Sequence, residues 1–162
     1  MSIDGLALRT ALPRDRDSLI DLMQELNTHE AKISGDRLTD RAAAEASYAT
    51  LVDRVSRLQG RIVVAEMAGR IVGAFGLVVE IDAAHVEARV RRYGAVTNLV
   101  VHPTWRRKGI GTTLLAEAER LSREMGLRRL VIAMLAGNAG AERAYKGLGF
   151  GEYAKVLVKP LD

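Results

Sequence analysis

Apolar residues recur along this chain at two periods, and the changes of period divide it into elements. In residues 6–12, LALRTAL, apolar and polar positions alternate as in a half-buried strand. Over residues 15–27 the spacing lengthens, and Leu19, Leu22, Met23 and Leu26 fall on one helical face. A second helix is predicted over residues 39–58. Its stripe is Tyr48, Leu51, Val52, Val55 and Leu58, and Thr39 or Asp40 could cap its start. Two β-rich runs, residues 61–67 and 71–81, flank Ala68-Gly69-Arg70, a hairpin by length and glycine content. Residues 82–93 are polar and read as a loop.

Residues 95–101, AVTNLVV, are almost continuously apolar and β-branched, as in a strand buried on both faces. Pro103 should end it, because proline cannot donate to a ladder. After Gly111 the helical period returns, with Leu114, Leu115, Ala118, Leu121 and Met125 on one face and Gly126 as the stop. Residues 128–135 then form a strand, residues 138–148 a short helix ended at Gly149, and residues 152–158, EYAKVLV, a last strand. The β-α-β portion requires a parallel pair with a right-handed crossover, whereas the hairpin is antiparallel. The expected fold is α/β (α+β-like), in three layers: a mixed sheet with helices on both faces. No linker or repeat interrupts the pattern, so residues 1–162 are expected to form a single domain.

Composition narrows the function classes. With 48% hydrophobic and 27% charged residues, the chain is ordinary for a globular protein. Glu80 interrupts its best apolar run, IVGAFGLVVEI, and no stretch approaches the roughly 20 residues that span a bilayer. The opening MSIDGLALRT lacks the basic-then-apolar order of a secretory signal, so no membrane partner is expected. There is no cysteine, which removes disulfides, thiolate ligands and a cysteine nucleophile and makes a cytoplasmic location the default. The three histidines are scattered without ligand spacing, so no metal is expected. A net charge of +4 favours polyanions. Aromatics are only 4% of the chain and are not interleaved with the cations, which argues against nucleic acid.

One segment carries candidate chemistry. In HPTWRRKGIGTTLL, three cations precede Gly109-Ile110-Gly111 at the mouth of a helix. It is either a solvated basic turn or an anion cradle. A buried strand, a glycine-rich turn and a helix start leave N–H donors without partners at the positive end of a helix dipole. Glycine there lets an anion approach the main chain. The third glycine of a dinucleotide fingerprint is missing, and so is the pattern of a P-loop.

VVHPTWRRKGIGTTLL resembles the acyl-CoA-binding segment of the GCN5-related N-acetyltransferase (GNAT) superfamily, in which Arg or Gln is followed, after two intervening residues, by Gly-x-Gly or Gly-x-Ala. Arg106, Gly109 and Gly111 fit it. A second segment, NAGAERAYKGLGF, is similar to a later helix of the family through Asn138, Ala144, Tyr145 and Gly149-Phe150. The opening LRTALPRDRDSLIDLM resembles the usual start of the family. The resemblance implies the acyl-CoA N-acyltransferase fold, with a mostly antiparallel sheet and one splayed parallel strand pair.

It also implies residue roles. The amides of Arg107, Lys108, Gly109, Ile110, Gly111 and Thr112 would hold the pyrophosphate of acetyl-CoA, with Arg106 as the motif arginine. Leu99, Val100 and Val101, on a bulged strand, would pair through their main chain with the pantetheine arm, one N–H polarising the thioester carbonyl. Tyr145 would protonate the departing thiolate; as a bland alternative it is a core residue of its helix. Asn138 is an N-cap, a cofactor contact, or both. Gly94 to Asn98 offer no general base, so Glu80 acting through water is the nearest candidate and His85 a second. His102 only flanks the loop. Residues 27–40 including His29, residues 82–93, and the neighbourhood of Tyr153 would select the acceptor.

The implied function is an N-acetyltransferase moving an acetyl group from acetyl-CoA to a primary amine, of a small molecule or a peptide, in a ternary complex. The alternative is a noncatalytic acyl-CoA-binding module. A homodimer stays open.

Overall fold

The computed structural model describes residues 3–161. Its elements in chain order are β1 (Leu6–Thr10), α1 (Arg16–Ser34), α2 (Arg41–Arg57), β2 (Arg61–Met67), β3 (Arg70–Ile81), a one-turn α3 (Ala88–Arg91), β4 (Arg92–Val101), α4 (Ile110–Glu124), β5 (Leu130–Ile132) and α5 (Ala139–Gly147). The strands lie in one sheet in the order β1-β2-β3-β4-β5. The first three pairings are antiparallel and the last is parallel.

Alternation along the strands sends apolar side chains to two cores. Val63, Ala65, Phe75, Leu77 and Val96 meet Ile110, Leu114, Leu115, Ala118 and Leu121 of α4 on one face. Ile62, Val64, Ala74 and Val100 meet Leu19, Ile20, Leu22 and Met23 of α1 and Ala44 and Leu51 of α2 on the other. The expected three layers are therefore present, with the sheet in the middle. The β2–β3 turn has positive φ at both Ala68 (49°) and Gly69 (76°), the geometry of a two-residue hairpin loop.

Several boundaries differ from the sequence expectation. Helix α1 continues past Asn27 to Ser34 and ends where Gly35 takes the left-handed conformation, φ 73°. Asp40 is the cap of α2, its carboxylate accepting from the Ala43 N–H at 2.8 Å. Val52 is exposed rather than part of the α2 stripe, because the sheet meets the Ala44–Tyr48–Leu51–Val55 side. The polar segment 82–93 is not all loop: it contains α3, and β4 begins at Arg92. β5 keeps only Leu130–Ile132, the residues paired with Gly94, Ala95 and Val96.

The expected last strand is absent. Residues 152–158 have no regular structure and lie exposed, because no neighbouring strand supplies a hydrogen-bonding ladder for them. No helix among the described residues is long and apolar enough to cross a membrane.

Candidate acyl-CoA site

The site begins with a defect in β4. Opposite β3, Ala74 pairs with Val100 and Gly76 with Thr97, so β4 carries one residue too many between these points. Asn98 absorbs it with φ 51°, a left-handed conformation that asparagine tolerates better than most residues. Its side chain is held on both sides. Oδ1 accepts from the Thr97 hydroxyl at 2.7 Å, and Nδ2 donates to Met23 Sδ at 3.6 Å.

Beyond the Val96–Ile132 pair, β4 runs on to Val101 with no partner on its β5 side. Main-chain groups along a strand point alternately to its two neighbours. His102 N–H donates to Val72 of β3, whereas the Val101 carbonyl instead accepts from Arg106 Nε at 3.0 Å. Val101, and Leu99 by alternation, thus turn main-chain groups to the unpaired side. Val100 faces β3, and its side chain is buried between α1 and α2.

The loop from β4 to α4 passes through a 3-10 turn at Pro103–Trp105. Arg107 (φ 60°) and Gly109 (φ 82°) then take left-handed conformations. The first helical bond of α4 runs from Thr113 N–H to the Gly109 carbonyl, and no side chain caps the helix. Among the described residues, the N–H groups of Arg107, Lys108, Gly109, Ile110, Gly111 and Thr112 have no hydrogen-bond partner. They gather free donors at a helix N-terminus, an arrangement whose positive end suits a negatively charged group.

The two glycines differ in what they do. Gly109 is required by its φ. Gly111 is not in that region, and a Cβ there would meet nothing nearer than Val101 Cγ2 at 3.9 Å. Nothing within the protein demands a glycine at position 111, so its missing side chain keeps space open over the free amides. Two of the three cations are engaged inside the chain: Arg106 on Val101, and Lys108 over the Trp105 ring at 4.7 Å.

Helix α5 is started by Asn138, whose Oδ1 accepts from Ala141 N–H at 3.2 Å. Asn138 is therefore an N-cap. Tyr145 is half-buried in the α4 core, with its ring centroid 6.0 Å from that of Phe150. Burial, and after it the negative charge of Glu30 on α1, push the phenol above its ordinary pKa. Arg37 holds Glu30 through Nε at 3.0 Å.

The candidate base Glu80 lies on the α2 side of the sheet. Glu80, opposite Tyr93 on β4, accepts from Arg54 through Oε1 at 2.7 Å, and Arg54 also reaches Thr97 Oγ1 at 3.4 Å. Glu80 Oε2 has no hydrogen-bond partner among the described residues. His85 is exposed in the segment after β3, His29 is half-buried on α1, and His102 Nδ1 bonds Thr104 Oγ1 at 2.9 Å. Among the described residues, no three His, Asp or Glu side chains form a group that could hold a metal. Sequence reasoning missed Asn98, Arg54 and Glu30. Only Asn98 carried a signal, as the residue of the 95–101 run best suited to a positive φ.

The model of the acetyltransferase (GNAT) family matches residues 20–150, most of the chain. The protein belongs to this family. No curated protein matches the sequence. Solved structures share the fold at low identity. A GCN5-related N-acetyltransferase from Ralstonia eutropha JMP134 aligns at TM-score 0.75 and 22% identity, over 97% of this chain and 99% of that one. A transcriptional regulator from Bacillus halodurans C-125 aligns at TM-score 0.75 and 16% identity, over 96% and 99%. A predicted acetyltransferase from Clostridium acetobutylicum, crystallised with acetyl-CoA, aligns at TM-score 0.69 and 17% identity, over 96% of each chain. These likenesses establish the acyltransferase fold, with its antiparallel sheet and parallel β4–β5 pair, and do not choose a substrate.

Proposed function

We propose that the protein is an acetyl-CoA-dependent N-acetyltransferase acting on a primary amine of a small molecule or peptide. The observation that carries this reading is the run of unpartnered N–H groups over residues 107–112, beside the unpaired edge of β4. In this reading Arg107 to Thr112 hold the pyrophosphate, and the Leu99 and Val101 main chain holds the pantetheine arm. Val100 contributes only packing.

The acceptor nitrogen attacks the thioester carbonyl carbon, and a β4 N–H stabilises the developing oxyanion. Collapse breaks the C–S bond, and the thiolate takes its proton from the Tyr145 hydroxyl. An ordinary thiol titrates near 8.5 and tyrosine near 10, so the phenol is protonated at neutral pH, the more so once raised. The proton lost by the amine passes through water to Glu80 Oε2. A chain without cysteine has no thiol of its own to carry the acetyl group, which favours direct transfer in a ternary complex and agrees with a cytoplasmic setting.

Calorimetric titration of acetyl-CoA into wild type and Gly111→Trp tests the cradle. An affinity loss of about tenfold or more is expected, whereas unaltered affinity would overturn the assignment. The competing reading, a noncatalytic acyl-CoA-binding module, is favoured by the engagement of Glu80 with Arg54. Acetyl-CoA binding with no CoA release on any member of an amine panel would select it.

A further inference from the structure

Among the described residues, two buried side-chain polar atoms have no hydrogen-bond partner, Ser122 Oγ and Arg129 Nε. Folded proteins leave few such atoms, because a buried donor or acceptor without a partner is costly. Both residues line the same cavity, of about 280 Å³, between α4, the chain entering β5 and the turn that follows α5. Its walls are Leu115, Leu127, Leu130, Leu148 and Phe150. Ser122 and Arg129 sit at and beyond the C-terminal end of α4, whereas the free amides of residues 107–112 lie at the other end of that helix.

Both groups are held in place. Ser122 is 4% exposed, and its hydroxyl stands against β4 at Gly94, where a Cβ would come within 2.6 Å of Oγ. The Gly94 N–H donates to the Arg129 carbonyl at 2.9 Å, so the two residues converge on one position of β4. In the Arg129 guanidinium, Nη2 donates to Asp82 and Nη1 to the Tyr153 hydroxyl at 3.1 Å. The rings of Tyr93 and Tyr153 lie 4.4 Å and 5.1 Å from it. Nε is the donor that this clamp leaves over, and a fixed guanidinium donor suits an oxyanion. Glu119 and Arg123, also on the lining, pair with each other at 2.5 Å. Arg128 is exposed at the rim and has no ion pair among the described residues.

We infer that this cavity binds a small monocarboxylate with an apolar body. The carboxylate accepts from Arg129 Nε and the Ser122 hydroxyl, the body packs on Leu115, Leu127 and Phe150, and Arg128 attracts the charge from solvent. Such a ligand meets the polar atoms and the apolar walls together. Water would satisfy only the former, and phosphate would answer only the positive charge. The cavity lies just below the usual range of small-molecule sites, about 300–1,000 Å³, so the occupant is small. The inference does not depend on the acetyl-transfer reading.

Phenylacetate serves as the probe, titrated into the full chain and followed through the amide resonances of the labelled protein. Saturable shifts are expected at Ser122, Leu127, Arg129, Leu130 and Phe150, and none at residues 107–112. Phenylacetamide, of the same shape without the charge, should bind about tenfold more weakly or worse. Inorganic phosphate should neither shift these residues nor displace the probe. Ser122→Ala should raise Kd about threefold to tenfold while leaving the melting temperature equal or higher, since it removes a buried hydroxyl that has no partner. Arg128→Glu, at an exposed position, should raise Kd for phenylacetate about threefold or more and leave phenylacetamide unaffected. Wild type without saturable shifts overturns the inference, as do shifts confined to residues 107–112. Equal affinity for phenylacetamide, displacement by phosphate, or an unchanged Kd in Ser122→Ala or Arg128→Glu would overturn it as well.

Discussion

Val96 and Val100 lie four residues apart on β4 and face opposite layers, Val96 toward α4 and Val100 toward α1 and α2. In a regular strand, residues an even number apart share a face. The residue that breaks the rule is Asn98, whose φ of 51° inserts one extra position. The inversion lets Leu99 and Val101 pack on the α4 side while the strand still ends beside the loop at residues 103–109.

Replacing Asn98 by valine therefore sets a β-branched side chain in a left-handed conformation. The expected cost is about 1–2 kcal/mol, together with weaker acetyl-CoA binding as the edge of β4 realigns. Asn98→Gly keeps the conformation accessible and should bind acetyl-CoA within about threefold of wild type. Chemical denaturation and calorimetry on the two variants separate backbone geometry from the side-chain bonds to Thr97 and Met23.

Gly73 sets how closely α4 approaches the sheet. A Cβ there would stand 3.0 Å from the Val100 carbonyl oxygen, 3.1 Å from Leu114 Cδ1 and 3.5 Å from Ile110 Cγ2. Gly73→Val should push the first turn of α4 outward at a cost of about 1–3 kcal/mol. Because that turn carries the free amides, acetyl-CoA affinity should fall with stability. A variant that lost stability but bound acetyl-CoA normally would show that the cradle tolerates displacement of its helix.

Much of this architecture was legible in the sequence because it rests on local signals. The β2–β3 hairpin was marked by Ala68-Gly69, and α4 by its apolar stripe and Gly126. The run of free N–H groups before α4 was marked by Gly109 and Gly111 following a buried strand. What depends on partners distant in sequence was not legible. The shortness of β5 reflects where β4 stops pairing with it, and the EYAKVLV run has strand composition yet no neighbour in the sheet. The engagement of Glu80 by Arg54, 26 residues earlier on α2, likewise left no local trace.

The start of α1 should be acid-sensitive. Asp15 is buried and accepts from Arg9 Nη1 at 2.6 Å and Nη2 at 3.0 Å, and from Leu12 N–H at 2.7 Å, while Arg9 also binds Glu66. The Arg9 hydrogen bonds first, and the Leu12 N–H in support, hold the carboxyl below its ordinary pKa against the opposing effect of burial. A carboxylate lowered on folding contributes stability above its unfolded pKa of about 3.9 and loses it as pH falls toward the folded value. Asp15→Asn should cost roughly 2 kcal/mol at neutral pH, less than a fully buried pair because Arg9 and Glu66 remain partly exposed. Its stability should also decline less steeply below about pH 4 than that of wild type, as thermal melts across the acid range would read.

The last prediction concerns Tyr145, which couples burial to the proposed proton transfer. A general acid must be protonated to act, so activity should fall on an alkaline limb set by the phenol. Burial first, and Glu30 second, place that limb above the usual tyrosine value of about 10. Tyr145→Phe should lower kcat by roughly 10–100-fold, toward the low end for general acids because a thiolate leaves readily, and should abolish the limb. KM for acetyl-CoA should change by no more than about twofold. Glu30→Gln removes the smaller of the two causes, so the limb should move to lower pH while staying above that of an exposed tyrosine. Initial rates of CoA release across the alkaline range, with wild type and both variants, check the sign. An unshifted limb in Glu30→Gln would mean that burial alone sets it, and a kcat unchanged in Tyr145→Phe would leave the tyrosine as a packing residue.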